Sequence, residues 1–307
     1  MSDDEGAAAN GRARLADVQQ VLRHAELDRV RAHPQFDTVC FEMVDSWARH
    51  AEEDRSMVRT LRDVGNYMAG AWALSLAASP QGLTHASLSE LLEVTGLGSR
   101  NRAHAMLVYL QVIRLIEREP DDGTGDGRVR RYRPRPALRQ LFVNRFRLQL
   151  SIIAPIAPEA EAVLARWDEP AVFDAFMRAN GRFMIGSFLG YDHDAPNLNA
   201  FGHRNGGLTI LGQIIIQAGR EGAFPPPGPV RLNLSDLARR SGASRGQVRA
   251  VLKAGVEAGF LIDRPDGQTG FTQRLADQLL FLLQGYILSL AWCARLAAEG
   301  SVKPSAR

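Results

Sequence analysis

Leu88–Pro120 (LSELLEVTGLGSRNRAHAMLVYLQVIRLIEREP) and Leu234–Pro265 (LSDLARRSGASRGQVRAVLKAGVEAGFLIDRP) write one pattern twice. Ser99-Arg100 aligns with Ser244-Arg245, and the same offset of 145 positions carries Ala105 onto Ala250, Leu107 onto Leu252 and Pro120 onto Pro265. The first copy gains one residue at Gly96-Leu97-Gly98, in a turn, where an insertion is well tolerated. A single match of this kind is weak, but two in register constrain any fold assigned to the chain.

Each copy spells helix, tight turn, helix, hairpin. In the second, Asn233 stands to cap the first helix with Asp236 three residues on, and Ser244 to cap the second with Gln247 three on; Ser87 and Glu90 occupy the corresponding places in the first copy. Gly242-Ala243 leaves room for the sharp turn of a helix-turn-helix. Val248, Val251, Leu252, Gly255 and Val256 recur at three- and four-residue spacing, which predicts a stripe facing the core. Arg249 and Lys253 fall on the opposite face with Arg245 at its edge, and Arg239 to Lys253 contains five cations and no acid.

The hairpins after the two copies differ. Past Leu115-Ile116-Glu117 and a Gly- and Asp-rich tip, Arg128 to Arg135 holds five arginines and no acid. Cations on a strand edge also block edge-to-edge aggregation, but beside a helix-turn-helix they read as a wing that meets phosphates. The second wing, Arg264 to Thr272, is short and carries one arginine.

Composition narrows the function classes. A net charge of +3 and a pI of 9.1 permit a polyanionic partner, while 7% aromatic residues speak against a base-stacking binder of single strands. Cys40 and Cys293 lie far apart in predicted helices, which implies a reducing compartment and no zinc site. The acidic N-terminus is unlike a signal peptide. The very apolar Gln273 to Glu299 is interrupted by Arg274, Asp277, Gln284 and Gly285, so no membrane span is expected and the chain is placed in the cytoplasm, associated with the nucleoid. Asp192, His193, Asp194 and His203 share a loop but follow no ligand spacing, so no metal is expected. There is no paired nucleophile and base and no phosphate loop, so neither an enzyme nor a cofactor is expected.

In chain order, 1–11 reads as a disordered tail, 12–156 as N-terminal helices plus the first unit, 157–206 as a helical and loop connector, 207–300 as the second unit and 301–307 as a tail. Arg12 to His33 carries a stripe of Leu15, Val18 and Leu22, suited to packing on the protein's own body or to self-association or a protein partner. Ala137 to Ile156 and Gln273 to Glu299 are long apolar helices after each wing, and they are expected to pair. The expected fold is mainly α, with two winged helix-turn-helix units joined by long helices in a pseudo-two-fold, single-chain arrangement.

The order helix, strand, helix-turn-helix, wing, long apolar helix resembles the winged-helix transcription regulators of the MarR type. The resemblance spans about residues 57–156 and 207–299. It implies a covalently linked pseudo-dimer that binds duplex DNA and regulates transcription, with or without a small-molecule effector. By position it assigns DNA contact to Ser99, Arg100, Asn101, Arg102 and His104 on one helix, and to Ser244, Arg245, Gln247, Arg249 and Lys253 on the other. Arg128, Arg130 and Arg131 become wing residues, with Arg264 the second wing's counterpart. Tandem winged helices also build plasmid-type replication initiators, and winged helices that have lost DNA binding serve as protein-interaction scaffolds.

Overall fold

Why the chain becomes helices is written in its spacing, and where they stop is written in its caps. The computed structural model describes residues 15–53, 64–95, 98–120, 130–189, 198–202, 204, 206–220 and 222–300. The protein is mainly helical, with two small sheets. The N-terminal stripe is broken at Leu22-Arg23, giving α1 (15–21) and α2 (His24–Arg31) in place of one helix. Then come α3 (Phe36–Glu53) and α4 (Val64–Ala77). The first repeat copy supplies β1 (Leu83–Thr84), α5 (His85–Val94), α6 (Arg100–Val112), β2 (Ile116–Arg118) and β3 (Arg131–Pro134). After it run α7 (Pro136–Ile153), α8 (Pro158–Leu164), α9 (Pro170–Leu189), α10 (Asn199–Gly202) and α11 (Gly207–Ala218). The second copy supplies α12 (Leu234–Arg240), α13 (Arg245–Glu257), β4 (Leu261–Asp263) and β5 (Thr269–Phe271), and α14 (Gln273–Gly300) completes the order.

Two compact units are interleaved along the chain: one takes Met1–Glu26, Met68–His193 and Ile287–Arg307, the other Leu27–Tyr67 and Asp194–Tyr286. The N-terminal helices, which sequence order groups with the first copy, therefore divide between the two. So does α14, whose first half serves the second unit and whose second half the first.

In the first unit aromatic rings and one arginine fasten α7 to the chain at 167–176. Phe146 meets Phe176 at 4.9 Å, and Trp167 meets Phe176 at 5.1 Å while its indole N–H donates to the Val143 carbonyl at 3.0 Å. Arg139 binds Asp174 at 2.5 Å, donates to the Pro170 carbonyl and lies over the Phe173 ring at 4.7 Å. The other face of α9 takes Ser75 of α4 at Gly181, where any β-carbon would collide with the serine hydroxyl. Trp292 in the second half of α14 packs on Phe183 at 5.8 Å, and Asn180 hydrogen-bonds the buried Cys293. The two long helices expected to pair thus both rest on α9.

In the second unit α11 packs on α3 with Gly212 against Val44 and Ala48, where a β-carbon would meet Val44 Cγ1 at an ordinary contact distance of 3.5 Å. Arg220 pairs with the buried Asp45 at 2.9 Å. Phe41 meets Phe224 at 5.0 Å, Trp47 meets Tyr286 at 5.5 Å, and Gln284 donates to the Leu27 carbonyl. Among the described helices, α14 alone has the length and mean hydropathy (1.6 over its most apolar window) of a membrane span, and half of that window is buried in protein. Leu275, Leu279, Leu283, Ile287, Leu290, Cys293, Ala294 and Ala297 form its buried stripe. Burial pushes both the Cys40 and the Cys293 thiol well above the ordinary range, and Asp37 adds to the effect at Cys40.

Candidate nucleic-acid interface

The second helix of each copy is set by the same backbone devices. Both run for 13 residues, and their ends keep the offset of the sequence repeat, Arg100–Val112 against Arg245–Glu257. Before each, a buried hydroxyl bonds back one turn: Thr95 to the Leu91 carbonyl at 2.8 Å, Ser241 to the Leu237 carbonyl at 2.7 Å. After each, the chain is turned by one left-handed residue, Arg114 (φ 58°) and Gly259 (φ 70°), and a six-residue amide-to-carbonyl bond closes the helix end. These closing bonds, Leu115 to Leu110 and Phe260 to Gly255, are both 2.8 Å. The strands match as well. In the first copy the order is β1-β3-β2, with Leu83 opposite Tyr132 and Ile116 opposite Pro134. In the second, Val230 bridges Thr269 of β5, and Leu261 lies opposite Phe271.

Capping departs from expectation in the first copy. Thr84, not Ser87, is the N-cap of α5; its hydroxyl accepts from the Ser87 amide, and the Ser87 hydroxyl accepts from the Thr84 amide. The helix starts earlier because Thr84 ends a strand and is already extended (φ −129°, ψ 168°). In the second copy Asn233 accepts from the Ser235 and Asp236 amides as the spacing predicts, but Arg239 and Arg240 engage the Asp236 carboxylate. Ser244 accepts from the Gln247 amide at 3.1 Å, whereas Ser99 caps by position without a side-chain bond.

Every assigned residue of α6 and α13 is exposed except Gln247, which is half-buried. Ala103, Met106, Leu107 and Leu110 bury one face of α6, and Val248, Val251, Ala254 and Gly255 that of α13. Gly255 is a packing requirement: a β-carbon there would stand 2.7 Å from Leu261 Cδ1 and 3.0 Å from Phe201 Cζ. The His85 Nε2–H donates to the Arg100 carbonyl at 3.1 Å, and its ring meets that of His104 edge-on at 6.0 Å. Arg102 folds back along Gly98.

The cations are not equivalent. In the first wing Glu117, across the ladder, pairs with Arg133 at 2.8 Å and Arg135 at 3.3 Å. Arg130 and Arg131 are exposed and meet no acid among the described residues; Arg128 lies outside them, as do Asp192, His193, Asp194 and His203. In the second copy Asp236 takes Arg239 and Arg240, and its carboxyl is held below the usual range, chiefly by the Arg239 hydrogen bond. Lys253 reaches Glu257 at 3.6 Å, a pair exposed enough to contribute little. Arg245 and Arg249 meet no acid among the described residues. Arg264 bends over Gly270, and Arg274 stacks on Phe260 at 5.1 Å.

Sequence reasoning did not single out Glu117, Asp236 and Glu257 as partners, although i,i+3 and i,i+4 spacing announces the latter two. Among the described residues no group of three His, Cys, Asp or Glu side chains is placed to hold a metal. No family model, curated protein or solved structure matches the chain.

Proposed function

We propose that each strand-helix-helix-strand-strand segment is a winged helix-turn-helix and that the protein is a duplex-DNA-binding transcription regulator with two non-identical heads. The observation that carries this reading is the exposed face of α6 and α13. Each presents two arginines that meet no acid among the described residues, Arg100 and Arg102 on one, Arg245 and Arg249 on the other. A 13-residue helix with a buried apolar face and an exposed cationic face, next to a hairpin, has the shape and charge to enter a major groove. Arg130 and Arg131 on the first hairpin add phosphate contacts that set register without reading sequence. The likeness to MarR-type regulators supports this as an analogy of element order.

A salt titration of binding to genomic duplex fragments tests it. Affinity is expected to fall steeply with salt, and Arg128, Arg130 and Arg131 changed together to alanine should lower the slope by about one per lost phosphate contact. Absence of salt-dependent retention of any duplex would sink the reading.

A further inference from the structure

The two exposed helix faces are built from different chemistry, and base edges distinguish them. On α6 the residues that share the outermost stripe are Asn101, Ala105, Val108 and Val112, with His104 beside them. Val108 is 43% and Val112 74% exposed, unusual for valine on a helix whose other face fills a core. The matching positions of α13 are Gly246, Ala250, Lys253 and Glu257, with Arg249 beside them. Ala105 has its counterpart in Ala250, so the difference rests on four exchanges: Asn101 for Gly246, His104 for Arg249, Val108 for Lys253, and Val112 for Glu257.

Asparagine matches the N6 donor and N7 acceptor of adenine, and an apolar side chain in the major groove is complementary to the thymine C5 methyl. Arginine matches the O6 and N7 acceptors of guanine. Resting on the DNA-binding reading above, we propose that the heads have opposite base preferences. The first takes an A·T-rich half-site through Asn101 and through thymine methyls against Ala105 and Val108. The second takes a half-site centred on a G·C pair read by Arg249. Arg100, Arg130 and Arg131 supply the charge complementarity that holds the apolar stripe of α6 against a polyanion, which favours a nucleic acid over an apolar protein surface there.

The test begins with selection of the full-length chain on a random-sequence duplex library. The enriched site is then resynthesised with deoxyuridine for thymidine, which deletes only the C5 methyl, or with 7-deazaguanine for guanine, which deletes only the N7 acceptor. Uridine in the A·T-rich half should weaken binding about fourfold per contacted methyl, the worth of one buried methylene. Val108→Ala should shrink that effect while leaving the G·C half unchanged. Deazaguanine in the other half should weaken wild-type binding about tenfold and leave Arg249→Ala unaffected. Both substituted side chains are exposed, so the variants keep their fold. No duplex enriched at all overturns DNA binding itself. Enrichment of a site insensitive to uridine, or a uridine effect that survives Val108→Ala, overturns the base assignment while DNA binding stands. Val108→Asp binding duplex as well as wild type would also overturn it, leaving that face to a protein partner.

Discussion

At the end of α6 the left-handed residue is Arg114, and at the end of α13 it is Gly259; on the buried side, the first segment has Leu110 at the position where the second has Gly255. The backbone is the same in both places and the side chains are not. In the first segment the core is closed from within, by Leu110. In the second a glycine opens a gap that Phe201, outside the repeat and fully buried, enters from α10, where it also meets Phe260 at 5.9 Å. Duplicated segments can thus keep hydrogen bonds and register while exchanging which residue fills a volume, because close packing constrains total volume more than its source.

The largest effect expected from this difference is at Phe201. Phe201→Ala should lower stability by about 3–5 kcal/mol, the cost of emptying a buried aromatic site, read as a shift of the urea midpoint. Gly255→Leu should destabilise by overpacking against Leu261 and Phe201, and less so in the Phe201→Ala background, where only the Leu261 contact remains. If Phe201→Ala is silent, the two segments do not differ in the way their cores are closed.

Next in size, on the proposed function, are the effects on DNA affinity, which should differ between the segments. Arg249→Ala should weaken binding by about 1–3 kcal/mol at one base pair and barely alter the salt slope. The first head should behave in the opposite sense. Glu117→Gln releases Arg133 and Arg135, and affinity and slope should both rise, the slope by about one to two. A lower affinity in Glu117→Gln would mean the two arginines act only as ladder partners.

Much of this was legible in the sequence. The repeat offset predicts that α6 and α13 end at matching positions, and three- and four-residue spacing finds Val248, Val251 and Gly255 of the buried face of α13, although Leu252 and Val256, expected with them, are half-buried and Ala254 is buried instead. What could not be read depends on contacts distant in the chain. Phe201 sits in a Gly- and Asn-rich stretch that reads as loop, yet Gly207 exists to let its carbonyl pass: a β-carbon there would strike it. The arginine run at 128–135 looks uniformly free because its acid, Glu117, lies 16 residues before Arg133 and reaches it only through strand pairing. A short strand before the first helix-turn-helix is expected from the element order, but its end at Thr84 is not, and that end moves the cap from Ser87 to Thr84. The interleaving of two units has no local signature, since it is made by where 27–67 packs.

A smaller contrast concerns the helix ends. A residue with a β-carbon in the left-handed region costs about 1–2 kcal/mol. Gly259→Ala should therefore destabilise by about 1 kcal/mol. Arg114→Gly relieves that strain but loosens the unfolded chain by about 0.4–1 kcal/mol, so its net change should be smaller. Equal and opposite shifts of thermal midpoint would show that the arginine is strained no less than the alanine.

The smallest expected effect separates the segments by pH. Arg239 and Arg240 stand three and four residues after Asp236, and both engage its carboxylate. The aligned acid of the first segment, Glu90, has Glu93 and Val94 at those places. The arginines hold the Asp236 carboxyl below the usual range. A carboxyl lowered on folding stabilises the fold above the ordinary carboxylate range, and that contribution is lost as pH falls through the lowered value. The pairs are exposed, so the gain is modest and screened by salt. In wild type, stability should decline below about pH 4 partly through this group. Asp236→Asn should flatten that acid limb at low ionic strength and leave neutral stability little changed, while Glu90→Gln should not flatten it. At neutral pH Asp236→Asn also releases Arg239 beside α13, so on the proposed function duplex affinity should rise. An acid limb identical in wild type and Asp236→Asn would remove Asp236 as the source of the difference.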